Sequence, residues 1–153
     1  MAPRLPDGSS VAASELRVGE FLAALGERTP APASGAAAAL TGAFAASLVE
    51  LAARFADDKA AITRAKALST RLTQLADEDA AAYTAFTESG SDEARRRTIE
   101  VPEEIAANAD EVERLAARVG AQLTSSVAGD AEAAEELARA AACVARRLAE
   151  LNA

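Results

Sequence analysis

The sequence predicts an all-α fold, an up-and-down bundle of four to six helices with short loops. Half of its residues are hydrophobic, but only 3% are aromatic, because alanine supplies much of the apolar content. Alanine is the strongest intrinsic helix former. No alternation of polar and apolar residues typical of a strand runs far along the chain. The length of 153 residues suits one domain with its own hydrophobic core.

The chain divides into a tail and one helical domain. Residues 1–13 are rich in proline, glycine, serine and alanine, which predicts a flexible tail. The helical domain is expected over residues 14–153. Its first helix is predicted over 14–25, because apolar residues there follow the helical spacing i, i+3, i+4, i+7. Gly26 is well placed to end that helix.

A second helix is predicted over 35–55, after a turn that contains Pro30 and Pro32. Ser34 is expected to cap it. Small residues recur on adjacent turns of this helix, which predicts that it packs tightly in a bundle or a dimer: Gly35, Ala39, Gly42 and Ala46. Residues 31–49 carry no charge, but they contain few Leu, Ile or Val, so a membrane span is rejected.

Three more helices complete the predicted bundle. The third covers 59–86 and is expected to be capped by Asp57-Asp58. The fourth covers 92–119, and Pro102 is expected to kink or split it. The fifth covers 130–151, and its inward face is predicted to hold these residues: Leu137, Ala141, Val144, Leu148 and Leu151.

Composition and charge exclude several classes of function. The formal net charge of −8, without a basic face, argues against a nucleic-acid partner. The chain has no histidine and one cysteine, Cys143, which excludes an intrachain disulfide and a zinc site built on several thiolates. We expect Cys143 to be a buried, inert thiol. No signal-peptide pattern is present at the start, and we expect a cytoplasmic protein.

Asp79 is the most informative candidate for chemistry. It occupies a position on the third helix where the inward stripe calls for a leucine, between Leu75 and Ala82. Burial raises the pKa of such a carboxyl, which suits a proton donor or acceptor near neutral pH. The alternative is an internal salt bridge with an arginine or lysine on another helix. Asp77 is expected to face outward as a solvated charge.

The proline turn is a weaker candidate. A helix N-terminus with small residues offers free N–H groups to an anion, although the same residues could simply start a helix. The run Arg95-Arg96-Arg97 is interpreted as a solvated face beside Asp92 and Glu93.

Several motifs, in order over residues 14–152, resemble the carboxy-terminal domain of formiminotransferase-cyclodeaminase and its free-standing bacterial relatives. The motifs are residues 21–35, which contain the proline turn; residues 72–80 followed by Tyr83; Val101-Pro102; and Gly129-Asp130 followed by residues 137–141 and Asn152. The resemblance implies an all-helical homodimer that acts on one-carbon-substituted tetrahydrofolates. The implied reactions are closure of the 5-formimino form to the 5,10-methenyl form with release of ammonia, or hydrolysis of the methenyl form.

The resemblance also implies a site. Its catalytic carboxylate falls on Asp79, the residue that the helical pattern selects, and no metal or bound cofactor is implied. The residues that the resemblance places around the folate are Pro32, Ala33, Ser34, Gly35, Asp77 and Asp130.

This chain departs from the family pattern in places. The family's Pro-Gly-Gly-Gly-Ser loop lacks two of its glycines here, and one of two late asparagines is Leu148. Two alternatives to an enzyme therefore stay open. One is a degenerate family member that serves as a helical structural or interaction protein, and the other is a generic helical adaptor.

Overall fold

The computed structural model describes residues 11–124 and 126–153, and it confirms the all-α fold, with no strand among those residues. A short 3-10 turn, Ala13–Glu15, is followed by five α-helices. They are α1 Val18–Leu25, α2 Ser34–Phe55, α3 Lys59–Ser89, α4 Asp92–Gly120 and α5 Ala128–Asn152. Most of the predicted tail, residues 1–10, lies outside the described part of the chain.

Helices α2 to α5 form the bundle. Helix α2 packs between α3 and α5, and α4 packs against the same two helices from the other side. The largest fully buried side chains come mainly from α3 and α4: Leu68, Leu72, Leu75, Val101, Ile105, Val112 and Val119. Helix α1 is shorter and borders a groove with α2 and α3, into which it buries Phe21.

The small residues of α2 serve packing within the chain. Ala39 and Ala46 are fully buried, and a β-carbon on Gly42 would stand 3.1 Å from a methyl group of Leu72. The small residues predicted tight packing in either a bundle or a dimer. In the structure this face of α2 packs within the bundle. Helix α2 is long and apolar enough to cross a membrane by length and composition, but in this fold it packs against α3, α4 and α5.

The predicted inward face of α5 is largely wrong. Among its predicted members, Leu137, Val144 and Leu151 are exposed. The buried face consists of alanines instead: Ala131, Ala134, Ala138, Ala141, Ala142, Ala145 and Ala149. Alanine side chains allow α5 to approach α4 and α2 closely, and this close packing outweighs the burial of larger side chains on the other face.

Pro102 does not split α4, which runs as one helix. A proline has no N–H, so the carbonyl of Thr98, four residues earlier, loses its helical partner. The side-chain amide of Asn152 on α5 donates a hydrogen bond to that carbonyl at 2.7 Å. The carbonyl that the proline leaves free therefore joins α4 to the end of α5.

The helix ends differ in how they are capped. Asp58 caps α3 as predicted, because its carboxylate accepts from the Ala61 N–H at 2.9 Å. Ser34 does not cap α2: it is the first residue of the helix, and the N-cap position is Ala33, which has no side-chain bond to the helix. The N–H groups at the start of α2 are therefore open to an acceptor from elsewhere in the fold.

Candidate functional site

Asp79 projects from α3 toward the first turn of α2. Its side chain is half-buried. Gly35 lies directly against it: a β-carbon at that position would overlap the carboxylate. The carboxylate therefore reaches the start of α2 only because residue 35 is glycine.

The Asp79 carboxylate accepts a hydrogen bond from the backbone N–H of Ala36. With Ala33 as N-cap, Ala36 is the third residue of α2, whose N–H an N-cap side chain usually binds. Asp79 therefore takes the role predicted for Ser34, although it lies on another helix. The partial positive charge at this helix end favours its ionised form.

The pKa of Asp79 is nevertheless raised, to about 6 from its ordinary value of 3.8. Burial is the larger cause, and the hydrogen bond from Ala36 opposes it with a smaller effect. Within the described residues Asp79 has no ion pair, so the internal salt bridge considered for it is not formed. Its carboxyl is therefore poised to gain or lose a proton near neutral pH.

Asp79 lines a cleft of about 320 Å³. Three parts of the chain build it: the turn before α2, the middle of α3 and the last turn of α5. Its lining residues are Thr29, Pro30, Ala31, Ala33, Ser34, Gly35, Asp79, Tyr83, Leu148, Leu151 and Asn152. A ligand could thus meet the carboxyl, the backbone at the start of α2 and an apolar wall at once.

The predicted site residues are only partly brought together. Ala33, Ser34 and Gly35 share the cleft with Asp79. Pro32 instead lines a neighbouring cavity of about 530 Å³, which meets the cleft at Ala31.

Asp77 also lines that neighbouring cavity. It is half-buried, and its carboxylate accepts from the backbone N–H of Ser14 at 2.9 Å and from the Ser14 hydroxyl at 2.5 Å. The expected solvated charge is therefore wrong, because Asp77 fastens the segment before α1 to α3.

Asp130 lies far from the cleft within one chain. It is in the first turn of α5, and the last turn of the same helix lines the cleft. At about 1.5 Å per residue, Asp130 and Asn152 are about 33 Å apart along the helix. A single chain does not bring Asp130 to Asp79.

Several residues that line the cleft were not among the predicted site residues. Tyr83 follows Asp79 by one helical turn, so the i, i+4 spacing could have placed it beside the carboxyl. Leu148 and Leu151 were assigned to the core. No local pattern could have placed Asn152 here, because its position depends on how α5 ends against α4.

Two other expectations can be compared with the structure. Cys143 is exposed, so the predicted buried thiol is wrong. Arg96 pairs with Glu93, and Arg97 pairs with Glu78 and Glu100, so that run is part of an ion-pair network on the surface. Among the described residues, no group of three Cys, Asp or Glu side chains is placed to hold a metal ion.

Comparisons with known proteins identify the family and support the fold. The family described as Formiminotransferase-cyclodeaminase matches residues 17–153. The fold is similar to the crystal structure of formiminotetrahydrofolate cyclodeaminase from Thermotoga maritima, with a TM-score of 0.84 and 21% sequence identity. The match covers 90% of this chain and 78% of that one. No curated protein matches the sequence.

Proposed function

Because this chain belongs to the formiminotransferase-cyclodeaminase family, we propose that it acts on a one-carbon-substituted tetrahydrofolate, with Asp79 as general acid and base. The observation that carries the proposal is the half-buried Asp79 carboxyl, which has no ion pair among the described residues and faces a cleft at the start of α2. The first candidate reaction closes the 5-formimino form to the 5,10-methenyl form and releases ammonia. Hydrolysis of the methenyl form is the second.

The cyclisation needs one proton to move between two nitrogens. In the protonated formimino group, N10 attacks the one-carbon unit and forms a C–N10 bond. The ionised Asp79 carboxylate takes the proton from N10 and then gives it to the amino nitrogen, so that the C–N bond breaks and ammonia leaves. The product is the methenyl cation, and the positive charge of the substrate is conserved.

The pKa of Asp79 fits this exchange. A general acid–base group works best when its pKa lies near the operating pH, and burial raises the pKa of Asp79 to about 6. The carboxyl is mostly ionised at neutral pH, as the first step requires, and its proton is held weakly enough to be passed on. In the hydrolytic reaction the same group would accept a proton from the attacking water.

We further propose that the reaction needs no metal and no bound cofactor. Proton transfer and expulsion of ammonia are within reach of a carboxyl group alone. The absence of histidine also removes the commonest metal ligand. If turnover is lost on dialysis against a chelator and returns with a divalent cation, this part of the proposal is wrong. A cytoplasmic location, and the absence of nucleic-acid and membrane partners, stay predictions.

We also propose that the protein is a homodimer and that the apolar side of the bundle forms its interface. Among the described residues, eight of the nine exposed large apolar side chains lie on α1, α2 and α5: Val18, Leu22, Phe44, Leu51, Phe55, Leu137, Val144 and Leu151. Ion pairs occur on all four bundle helices, as with Arg71 and Glu104 between α3 and α4 or Arg54 and Glu50 on α2; the exposed apolar side chains are what set α1, α2 and α5 apart.

Two exposed aromatic rings on α2 support this interface. Phe44 and Phe55 are 58% and 63% exposed. Since an aromatic side chain has about 150–250 Å² to bury, these two rings alone expose on the order of 200 Å². Protein interfaces are enriched in aromatic side chains relative to the rest of the surface. An antiparallel partner would also bring its own Asp130 toward the cleft, which a single chain cannot do.

The decisive experiment follows formation of the methenyl chromophore from 5-formimino-tetrahydrofolate. We expect turnover by the unaltered protein and a loss of at least about 10²-fold in kcat for Asp79→Asn, the lower end of what a positioned acid–base group contributes. Glu78→Gln is the matched control, since it removes the neighbouring carboxylate, which faces Arg71 and Arg97 instead of the cleft. It should retain activity close to that of the parent.

Three outcomes distinguish the alternatives. If formimino turnover is absent but the methenyl form is hydrolysed, the cyclohydrolase reaction is the correct one. If neither reaction occurs and calorimetry detects no binding of 5-formyl-tetrahydrofolate, the chain is a non-catalytic helical member of the family. If Asp79→Asn turns over as fast as the parent, the role assigned to Asp79 is wrong.

A further inference from the structure

Tyr83 lies in the cleft beside Asp79, and its side chain contributes little to the stability of the fold. It is the only tyrosine of the chain. Its side chain lines the same cleft, and it follows Asp79 by four residues, so both project from one face of α3. The two side chains are therefore neighbours, with about 5–6 Å between their β-carbons.

The tyrosine ring does not serve the core. Tyr83 is 41% exposed, whereas the core side chains of α3, such as Leu72 and Leu75, are fully buried. Within the described residues its hydroxyl makes no hydrogen bond. A large ring that is neither buried nor hydrogen-bonded contributes little to stability, so the fold does not account for an aromatic residue at this position.

The cleft that holds this ring has one apolar wall beside its polar groups, which include Asp79 and Asn152. Across from α3, the last turn of α5 contributes Leu148 and Leu151, and Leu151 is 63% exposed. These two leucines make that wall apolar. An apolar wall on one side and a flat ring on the other suit a planar ring system.

We infer that Tyr83 is a positioning residue that stacks on a flat ring of the bound folate and so holds the reacting nitrogens beside the Asp79 carboxyl. This inference rests on the proposed function. The ring face, not the hydroxyl, makes the contact, since the hydroxyl has no partner to orient it. The spacing of one helical turn between Asp79 and Tyr83 matches a ligand whose reacting atoms adjoin a planar ring.

The single tyrosine permits a direct test. In protein labelled with ring-¹³C tyrosine, all tyrosine ring signals come from Tyr83, and we expect them to shift on saturation with 5-formyl-tetrahydrofolate. Y83F should bind this folate within about 2-fold of the parent. Y83L should raise the Kd by about 10- to 100-fold, as loss of one aromatic stacking contact predicts.

Phe86→Leu is the matched control, because it removes an aromatic ring from the same helix outside the cleft. It should leave the Kd within about 2-fold of the parent, and thermal melts establish that each variant is folded. If the folate binds and Asp79→Asn abolishes turnover, but the Tyr83 signals stay in place or Y83L binds normally, the stacking role alone is wrong. If the folate does not bind the parent protein, the proposed function and the role of Tyr83 fail together.

Discussion

The Asp79 carboxylate occupies the space that a β-carbon on residue 35 would need. Gly35, at the start of α2, is the residue that lies against the carboxyl. A long-range contact between α3 and the first turn of α2 therefore depends on the absence of one methyl group.

The first prediction concerns Gly35→Ala. The added methyl group would overlap the Asp79 carboxylate, so it must displace either that side chain or the start of α2. We expect kcat/KM to fall by about 10²-fold or more, as a displacement of about 1 Å in an active site can cause. Steady-state assays of methenyl formation measure this effect.

Gly19→Ala is the control, since a β-carbon there meets nothing within 4 Å. It should retain full activity and could stabilise α1, because alanine is the better helix former. Full activity of Gly35→Ala would show that the close approach of Asp79 and α2 is not needed for turnover.

The second prediction concerns pH. The pKa of Asp79 is about 6 in the folded protein, above the ordinary 3.8 that holds when the chain is unfolded. Between these values the folded state binds more protons, so its stability falls as pH rises through the window from about 4 to about 6. At pH 7.5 the ionised carboxyl should cost about 1–3 kcal/mol of the free energy of unfolding.

Asp79→Asn should therefore be more stable than the parent by that amount at pH 7.5 and equal to it below about pH 3, where Asp79 is protonated in both the folded and the unfolded chain. Urea unfolding at the two pH values measures the difference. Asp92→Asn, on an exposed side chain, should show no such gain. A less stable Asp79→Asn at pH 7.5 would mean that the carboxylate cap on α2 outweighs the cost of burial.

The kcat/KM of the parent should also fall as the pH drops below about 6, because the Asp79 carboxylate that acts as the base becomes protonated.

The third prediction concerns the hydrogen bond from Asn152 to the Thr98 carbonyl. Asn152→Ala leaves this carbonyl without a partner, because Pro102 has no N–H to offer. We expect a loss of about 1–3 kcal/mol in the free energy of unfolding. In the background of Pro102→Ala, which restores the N–H, the same substitution should cost clearly less, and a double-mutant cycle measures the coupling.

Asn108→Ala provides the comparison for this cycle. The Asn108 amide also donates to a backbone carbonyl, that of Glu104, but an ordinary helical N–H can serve that carbonyl as well. Asn108→Ala should lower the free energy of unfolding by less than half as much as Asn152→Ala does. Equal costs at the two asparagines would contradict the explanation based on Pro102.

The fourth prediction concerns the oligomeric state. A glutamate at an apolar interface would bury an unpaired charge, so Phe44→Glu should convert a dimer into monomers. Sedimentation velocity measures the mass of each. Ala107→Glu adds the same charge to an exposed position on α4 and should leave the dimer intact. A parent protein that sediments as a monomer would refute the proposed interface.

The sequence by itself determined the helical fold, most helix boundaries and the inward position of Asp79 on α3. Helix propensity and the spacing of leucines on α3 act locally, so they can be read along the chain, and a carboxyl that interrupts an apolar stripe is visible in the same pattern. The buried face of the alanine-rich helix α5 could not be predicted in this way, because its two faces differ little in hydrophobicity. Only packing against α4 and α2 selected the alanine face.

Only the tertiary structure decided what surrounds Asp79. The cap on α2, the contact with Gly35 and the bond from Asn152 to Thr98 join residues 43 to 54 positions apart that lie on different helices. Such contacts depend on the relative placement of whole helices, which close packing of the core sets and which no local pattern encodes. The raised pKa of Asp79 has the same origin, because the packed helices bury its carboxyl. The sequence shows only that this residue interrupts an apolar stripe.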